Sequence, residues 1–312
     1  MQGRRFAAQK GKALMDLRKK PPQIPGITYE SLIGTGGMSV VWRAWHAQLN
    51  QTVAVKILNS DFSETGKEVR QFMIEARTMA ALHHPGIVQG YGAEYADGHY
   101  VQIMDYVDGY SFASLLGRKG RLPQIDALII CESVAAAMKY AWDTMGIVHC
   151  DIKPDNIMVD RDGTIKIMDL GLCLSSATFH QDGQSEDVVG TPAYMSPEQI
   201  YGDVELDCRA DIYSLGASLY HLVAGRMLFP LKSNDDILRA HVDPAQQAPD
   251  PRRFAGGIAE RFVRLLAGML VKDRDGRYQT WDDVYTAAQI IDENGELPPL
   301  PEGSVSSIKL DA

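Results

Sequence analysis

Cysteine is scarce in this chain, with four in 312 residues, at positions 131, 150, 173 and 208. They form no C-x-x-C pair and no metal-ligand grouping with the eight histidines. That pattern speaks against a disulfide framework or a zinc ribbon, and reduced thiols in a cytoplasmic setting are the expectation. Long apolar runs are missing too. None approaches the roughly 18 residues a membrane-spanning helix requires, and no signal peptide is recognisable, so a soluble chain is expected.

What is present is enough for a large core. Hydrophobic residues make up 45% of the chain, and the length exceeds that of a usual single core, so two lobes sharing a cleft are expected. The net charge of −9 is unevenly spread. Residues 1–20 carry Arg4, Arg5, Lys10, Lys12, Arg18, Lys19 and Lys20 against Asp16 alone, about +6, leaving about −15 for the rest. A solvated basic flank is the commoner meaning of such an arm. Contact with anionic lipid stays open, and no nucleic-acid partner is expected. Pro21, Pro22 and Pro25 punctuate the arm, so the division reads as an arm over 1–26, a domain over 27–291 and a tail over 292–312, the tail being rich in Pro, Gly and Ser. The oligomeric state is not legible.

The densest chemistry lies in His149-Cys150-Asp151-Ile152-Lys153-Pro154-Asp155-Asn156, followed after a short hairpin by Asp169-Leu170-Gly171. Moving a γ-phosphoryl group needs a base for the attacking hydroxyl, a cation over the transferring oxygens and oxygen ligands for Mg²⁺. Asp151, Lys153, Asn156 and Asp169 supply these in that order.

Upstream, Ile33-Gly34-Thr35-Gly36-Gly37-Met38-Ser39-Val40-Val41 is a glycine loop between two predicted strands. That context suits a hairpin folding over triphosphate, not the strand-to-helix loop of a dinucleotide binder. In Val53-Ala54-Val55-Lys56-Ile57-Leu58 the alternation puts Ala54 and Lys56 on one face and Val53, Val55 and Ile57 on the other. A small residue followed by an amine suits adenine above and phosphate beside it. A helical stripe of Val69, Phe72, Ala76, Met79 and Ala80 follows, with Glu75 on its border. Further on, Leu128 to Trp142 and Ile212 to Val223 carry helical stripes stopped by Gly146 and Gly225.

These motifs resemble those of the eukaryotic-like serine/threonine protein kinases, and most closely their bacterial branch, through H-R-D-L-x-x-x-N, D-F-G and A-P-E signatures read here as His149–Asn156, Asp169–Gly171 and Ser196–Glu198. Cys150 stands where Arg is usual, Leu170 where Phe is, and Ser39 at the third glycine position. The resemblance implies an α+β, bilobal protein-kinase fold, with a small β-sheet lobe containing one long helix (27–107) and a larger, mainly α-helical lobe (108–291). It implies ATP and Mg²⁺ as cofactors, with Asn156 and Asp169 on the metal. Catalysis would rest on Asp151, Lys153, Asn156, Asp169 and Thr191. The nucleotide would be held by Ile33, Gly34, Gly36, Gly37, Ser39, Val41, Ala54, Lys56 and Glu75, with Met104, the backbones of Asp105 and Val107, and Met158 around the base. Because the strand Lys of protein kinases pairs with a Glu of the helix that follows, the resemblance implies Glu75 as the carboxylate for Lys56, with Glu68 as the alternative. It also implies a Glu198–Arg277 ion pair and an Asp211 brace for the catalytic loop.

Lys153 and Thr191 point, within that family, to Ser or Thr on a protein as acceptor. Cys150 removes a cation that an activation-segment phosphate often neutralises, and Leu174 is apolar where a basic residue is common, so weak dependence on phosphorylation of Ser175, Ser176, Thr178 or Ser185 is expected. Cys150 and Cys173 are expected to be ordinary buried thiols, with a redox pairing as the lesser alternative. The competing reading is a pseudokinase, an ATP-binding interaction module.

Overall fold

The computed structural model describes residues 17–59, 66–170, 190–203, 205–293 and 295–310. The chain divides into two compact units, one ending at Asp108 and the other starting at Gly109.

The first unit is built on five antiparallel strands, β1 (Ile27–Thr35), β2 (Ser39–His46), β3 (Gln51–Leu58), β4 (Gly90–Ala96) and β5 (His99–Asp105), in the order β1-β2-β3-β5-β4. Period-2 alternation drives β3, whose Val53, Val55 and Ile57 are fully buried and join Val40, Ala44 and Val101 in one cluster. Each such side chain contributes about 1.5 to 3 kcal/mol by leaving water. Helix α1 (Lys67–Ala81) buries Phe72, Ala76 and Met79 and packs on β4. The approach is close because Gly90 has no side chain; a Cβ there would lie 2.9 Å from Ala80 N and Met79 Cβ.

At the end of the basic flank Arg18, Lys19 and Lys20 are exposed, while two apolar side chains beside them are packed. Leu17 and Ile24 are 3% and 7% exposed within the sheet's cluster, and the Leu17 carbonyl accepts the Trp42 indole N–H at 3.2 Å. The charge of the arm dominated its sequence pattern, while two isolated apolar side chains decide where its last turn goes.

The second unit opens with a small antiparallel sheet of β6 (Gly109–Ser111), β7 (Ile157–Asp160) and β8 (Ile165–Ile167). Around it lie α2 (Phe112–Lys119), α3 (Gln124–Met145), α4 (Pro197–Tyr201), α5 (Cys208–Ala224), α6 (Asn234–Val242), α7 (Glu260–Met269) and α8 (Trp281–Asp292). Helix α3 ends where Gly146 turns left-handed and returns its N–H to Trp142. Helix α5 is more central than a one-sided stripe implies, since all but two of its residues, Arg209 and His221, are buried. A helix buried all round is a core element. Among the described residues no helix is long and apolar enough to cross a membrane.

The expected tail also departs from its reading. Ser306, Ser307 and Ile308 are 5%, 0% and 1% exposed, and the segment pairs with Ala248 on one side and Val271 on the other. Composition flagged it as loose because its burial rests on backbone hydrogen bonds, which leave no periodic pattern.

Candidate active site

In the second unit the loop between α3 and β7 is tied down from beneath. Asp211, in the first turn of α5 and fully buried, accepts the amide of His149 at 2.6 Å and that of Cys150 at 2.8 Å. Burial raises its carboxyl to about 6, although His149 and the two amides pull the other way. The His149 imidazole bonds the Met168 carbonyl at 3.0 Å, and Gln199 of α4 donates to the Cys150 carbonyl at 2.8 Å. Ser218 of α5 donates to the Ile152 carbonyl at 3.3 Å. Gln199 and Ser218 escaped the sequence reading, because a buried amide or hydroxyl serving a backbone carbonyl has no spacing signature.

These anchors present Asp151 in a defined pose. Its Oδ1 accepts the Thr191 hydroxyl at 2.7 Å. Its Oδ2 meets the Lys153 ammonium at 2.6 Å and the Asn156 amide at 3.1 Å. Lys153 also donates to the Thr191 hydroxyl at 2.7 Å. Asn156 donates further to the Asp151 carbonyl at 2.9 Å, while its own carbonyl accepts the Met168 amide at 2.9 Å. That last bond closes the β7–β8 hairpin and sets Asp169 one residue beyond, in the left-handed backbone region at φ 55°. Asp151, Lys153, Asn156 and Thr191 are therefore gathered together, and Asp169 follows the Met168 whose amide Asn156 holds. Gly171, Cys173, Leu174, Ser175, Ser176, Thr178 and Ser185 lie outside the described residues.

Cys150 departs from expectation. It is disulfide-bonded, not an ordinary thiol, at φ 63° and 1% exposure, packed with Val148, Ala210, Trp142 and Leu206. Cys131 and Cys208 are free.

Glu198 and Arg277 form a buried bidentate pair at 2.7 and 3.1 Å. Met158 lies on β7 opposite Ser111 and Lys166. A cavity of about 380 Å³ involving Lys139, Trp142 and Trp281 shares no residue with the Asp151 group.

In the first unit, Lys56 meets Glu75 at 2.7 Å, with both side chains largely shielded. On β3, Ala54 and Lys56 pair with Met104 and Gln102 of β5. The glycine loop is the β1–β2 hairpin, with Gly34 opposite Val41 and the Gly36 amide bonded to the Ser39 carbonyl at 2.8 Å. Ile33 is exposed. A Cβ at Gly37 would meet nothing within 4 Å, so the backbone there is open to an anion. Met104 and Val107 are 7% and 8% exposed. The Asp105 amide is taken by the Gln89 carbonyl at 2.9 Å, and Asp105 pairs with Val53 of β3.

A strand Lys–Glu pair beside a glycine hairpin in the first unit, and an Asp–Lys–Asn–Thr group in the second, are each the kind of arrangement found in the protein kinase fold. The family model for the protein kinase domain matches residues 27–291, and the chain belongs to that family. It is 34% identical over 281 residues to a probable serine/threonine-protein kinase PknB of Bifidobacterium longum, covering 85% of this chain and 40% of that protein. It is also 34% identical over 255 residues to the serine/threonine-protein kinase PrkC of Bacillus subtilis, covering 81% and 38%. The chain thus spans about 40% of the length of such curated relatives. A crystal structure of the Mycobacterium tuberculosis PknI kinase domain superposes with a TM-score of 0.65 at 26% identity, covering 86% of this chain and 95% of that one.

Proposed function

We propose that this chain transfers the γ-phosphoryl group of ATP to serine or threonine hydroxyls of protein substrates. The observation that carries this reading is the Asp151 carboxylate, oriented at once by Thr191, Lys153 and Asn156. As the acceptor oxygen bonds to phosphorus and the bridging oxygen departs with ADP, Asp151 orients the hydroxyl and takes its proton. Lys153 stabilises charge on the migrating group. Lys56, fixed by Glu75, and the glycine hairpin serve the nucleotide phosphates, with Ala54, Met104, Val107 and Met158 as apolar neighbours of the base.

Among the described residues no cluster of three His, Cys, Asp or Glu side chains offers a self-sufficient metal cage. One amide oxygen and one carboxylate, Asn156 and Asp169, match a Mg²⁺ ion that completes its shell with phosphate and water. That ion would supply charge neutralisation between phosphate oxygens. Every chemistry-bearing position is filled, which favours catalysis over the pseudokinase reading.

The apolar setting of Cys150 supports activity that depends weakly on activation-segment phosphorylation, since no cation waits there for a phosphate. Replacing Ser175, Ser176, Thr178 and Ser185 with Ala should leave transfer within about a hundredfold of wild type, some 2.7 kcal/mol. For the function itself, labelled γ-phosphate should enter a protein acceptor with wild type and not with Asp151→Asn. Nucleotide binding without incorporation by wild type would instead establish the pseudokinase.

A further inference from the structure

Residues 297–309 cross the second unit as a strap. The Ala248 amide donates to the Ser307 carbonyl at 2.7 Å, and the Lys309 amide returns to the Ala248 carbonyl at 2.8 Å. On the other side the Ser307 amide reaches the Leu270 carbonyl at 2.8 Å and the Lys272 amide the Val305 carbonyl at 2.9 Å. Ser306 Oγ donates to the Ala267 carbonyl at 2.9 Å, and Gln247 donates to the Ser306 carbonyl at 2.9 Å. The strap is thereby threaded between the loop after α6 and the end of α7.

The Ser307 hydroxyl of the strap reaches a buried polar relay. Ser307 Oγ lies 2.8 Å from the Tyr213 hydroxyl of α5, which lies 2.8 Å from Nδ1 of His241 on α6. Ser307, Tyr213 and His241 all have 0% exposure. Burial and the nearby Lys272 ammonium push the His241 pKa down to about 3, so the ring is neutral and carries one N–H. When Ser307 donates to Tyr213 and Tyr213 to Nδ1, the ring hydrogen stands on Nε2; with the chain reversed it stands on Nδ1. The Pro192 and Ala193 carbonyls act on this imidazole, yet Nε2 closes no regular hydrogen bond. Helix α6 packs directly on the turn Pro192–Tyr194, which begins one residue after Thr191.

We propose that the strap is a positioning element for phosphoryl acceptance: Ser307, through Tyr213 and His241, sets the His241 tautomer and holds the Pro192–Tyr194 turn so that Thr191 stays on Asp151. The inference rests on the phosphotransfer reading for its kinetic arm alone, because its second readout needs no activity.

Ser307→Ala, Ser307→Thr and a chain ending at residue 296 would be compared with the full chain. Ser307→Ala should lower kcat with a protein acceptor about fivefold or more while the KM for ATP holds, and Ser307→Thr should restore it. By amide hydrogen exchange, Tyr194, whose N–H bonds the Thr191 carbonyl at 2.9 Å, should lose protection in Ser307→Ala while amides of α3 keep theirs. A peptide of residues 297–312, added to the shortened chain, should return both values. If Tyr194 protection is unchanged in Ser307→Ala, or if protection falls alike in α3, the proposal is overturned. A shortened chain that fails to fold leaves the decision to Ser307→Ala and Ser307→Thr. Absence of transfer by the full chain would refute the phosphotransfer reading, leaving the exchange result to decide the strap.

Discussion

Thr191 donates its hydroxyl hydrogen to Oδ1 of Asp151 at 2.7 Å while accepting from Lys153 at 2.7 Å. One hydroxyl thus holds the general base and the phosphate-facing cation in register, from a segment 40 residues away in sequence. Thr191→Val keeps the shape and removes the bridge. Its kcat should fall about ten- to a hundredfold, roughly 1.4 to 2.7 kcal/mol, while Thr191→Ser keeps most activity. Steady-state transfer assays with saturating ATP decide it, and a wild-type rate in Thr191→Val would remove Thr191 from the site.

The Lys56–Glu75 contact makes a second prediction, about the nucleotide. Both side chains are at most 15% exposed, so the pair is not a surface ion pair of negligible worth. Glu75→Gln should weaken nucleotide binding roughly tenfold or more, in keeping with a hydrogen bond to a charged group. Glu68→Gln should change it little. Calorimetric titration of both variants with an ATP analogue would expose an error if Glu68→Gln gave the larger loss.

Stability should depend on Glu198 and Arg277 more than their distance from Asp151 suggests. Arg277 has no exposed side-chain surface and also donates to the Val271 carbonyl at 2.9 Å. Arg277→Met strands a buried carboxylate, which costs on the order of 3 to 5 kcal/mol. Pairing it with Glu198→Gln should return part of that loss. Urea melts of the single and double variants give the comparison, and strictly additive losses would deny the coupling.

Much of the candidate site was legible because its chemistry compresses into short motifs. The His149–Asn156 run needs its residues at fixed offsets, and the Phe72–Ala76 register put Glu75, not Glu68, on the border facing Lys56. Burial without periodicity was not legible. Leu17 and Ile24 are two apolar residues in a charged arm, Ser307 is a buried hydroxyl in a segment of Pro, Gly and Ser, and α5 is packed on every side where a stripe indicated one. A pairing of Cys150 stood only as the lesser alternative for another reason: it depends on approach in space, and cysteine spacing alone carries no record of it.

Asp211 ties pH to both stability and loop geometry, in opposite senses. Burial lifts its pKa from 3.8 to about 6, so across that window the native state binds more protons than the unfolded chain. The unfolding free energy therefore falls as pH rises from 3.8 to about 6, by on the order of 3 kcal/mol in total. That stabilisation is complete below 3.8 and gone above about 6. The ionised form, however, is the one whose two oxygens both accept, from His149 and Cys150. Asp211→Asn does not titrate and must turn an NH₂ toward one of those amides. Relative to this variant, wild type should lose stability between about pH 4 and about pH 7 while gaining transfer activity over the same range. Denaturant melts and rate profiles of both proteins across that range test the pair of trends, and a stability difference independent of pH would mean that Asp211 is ionised throughout.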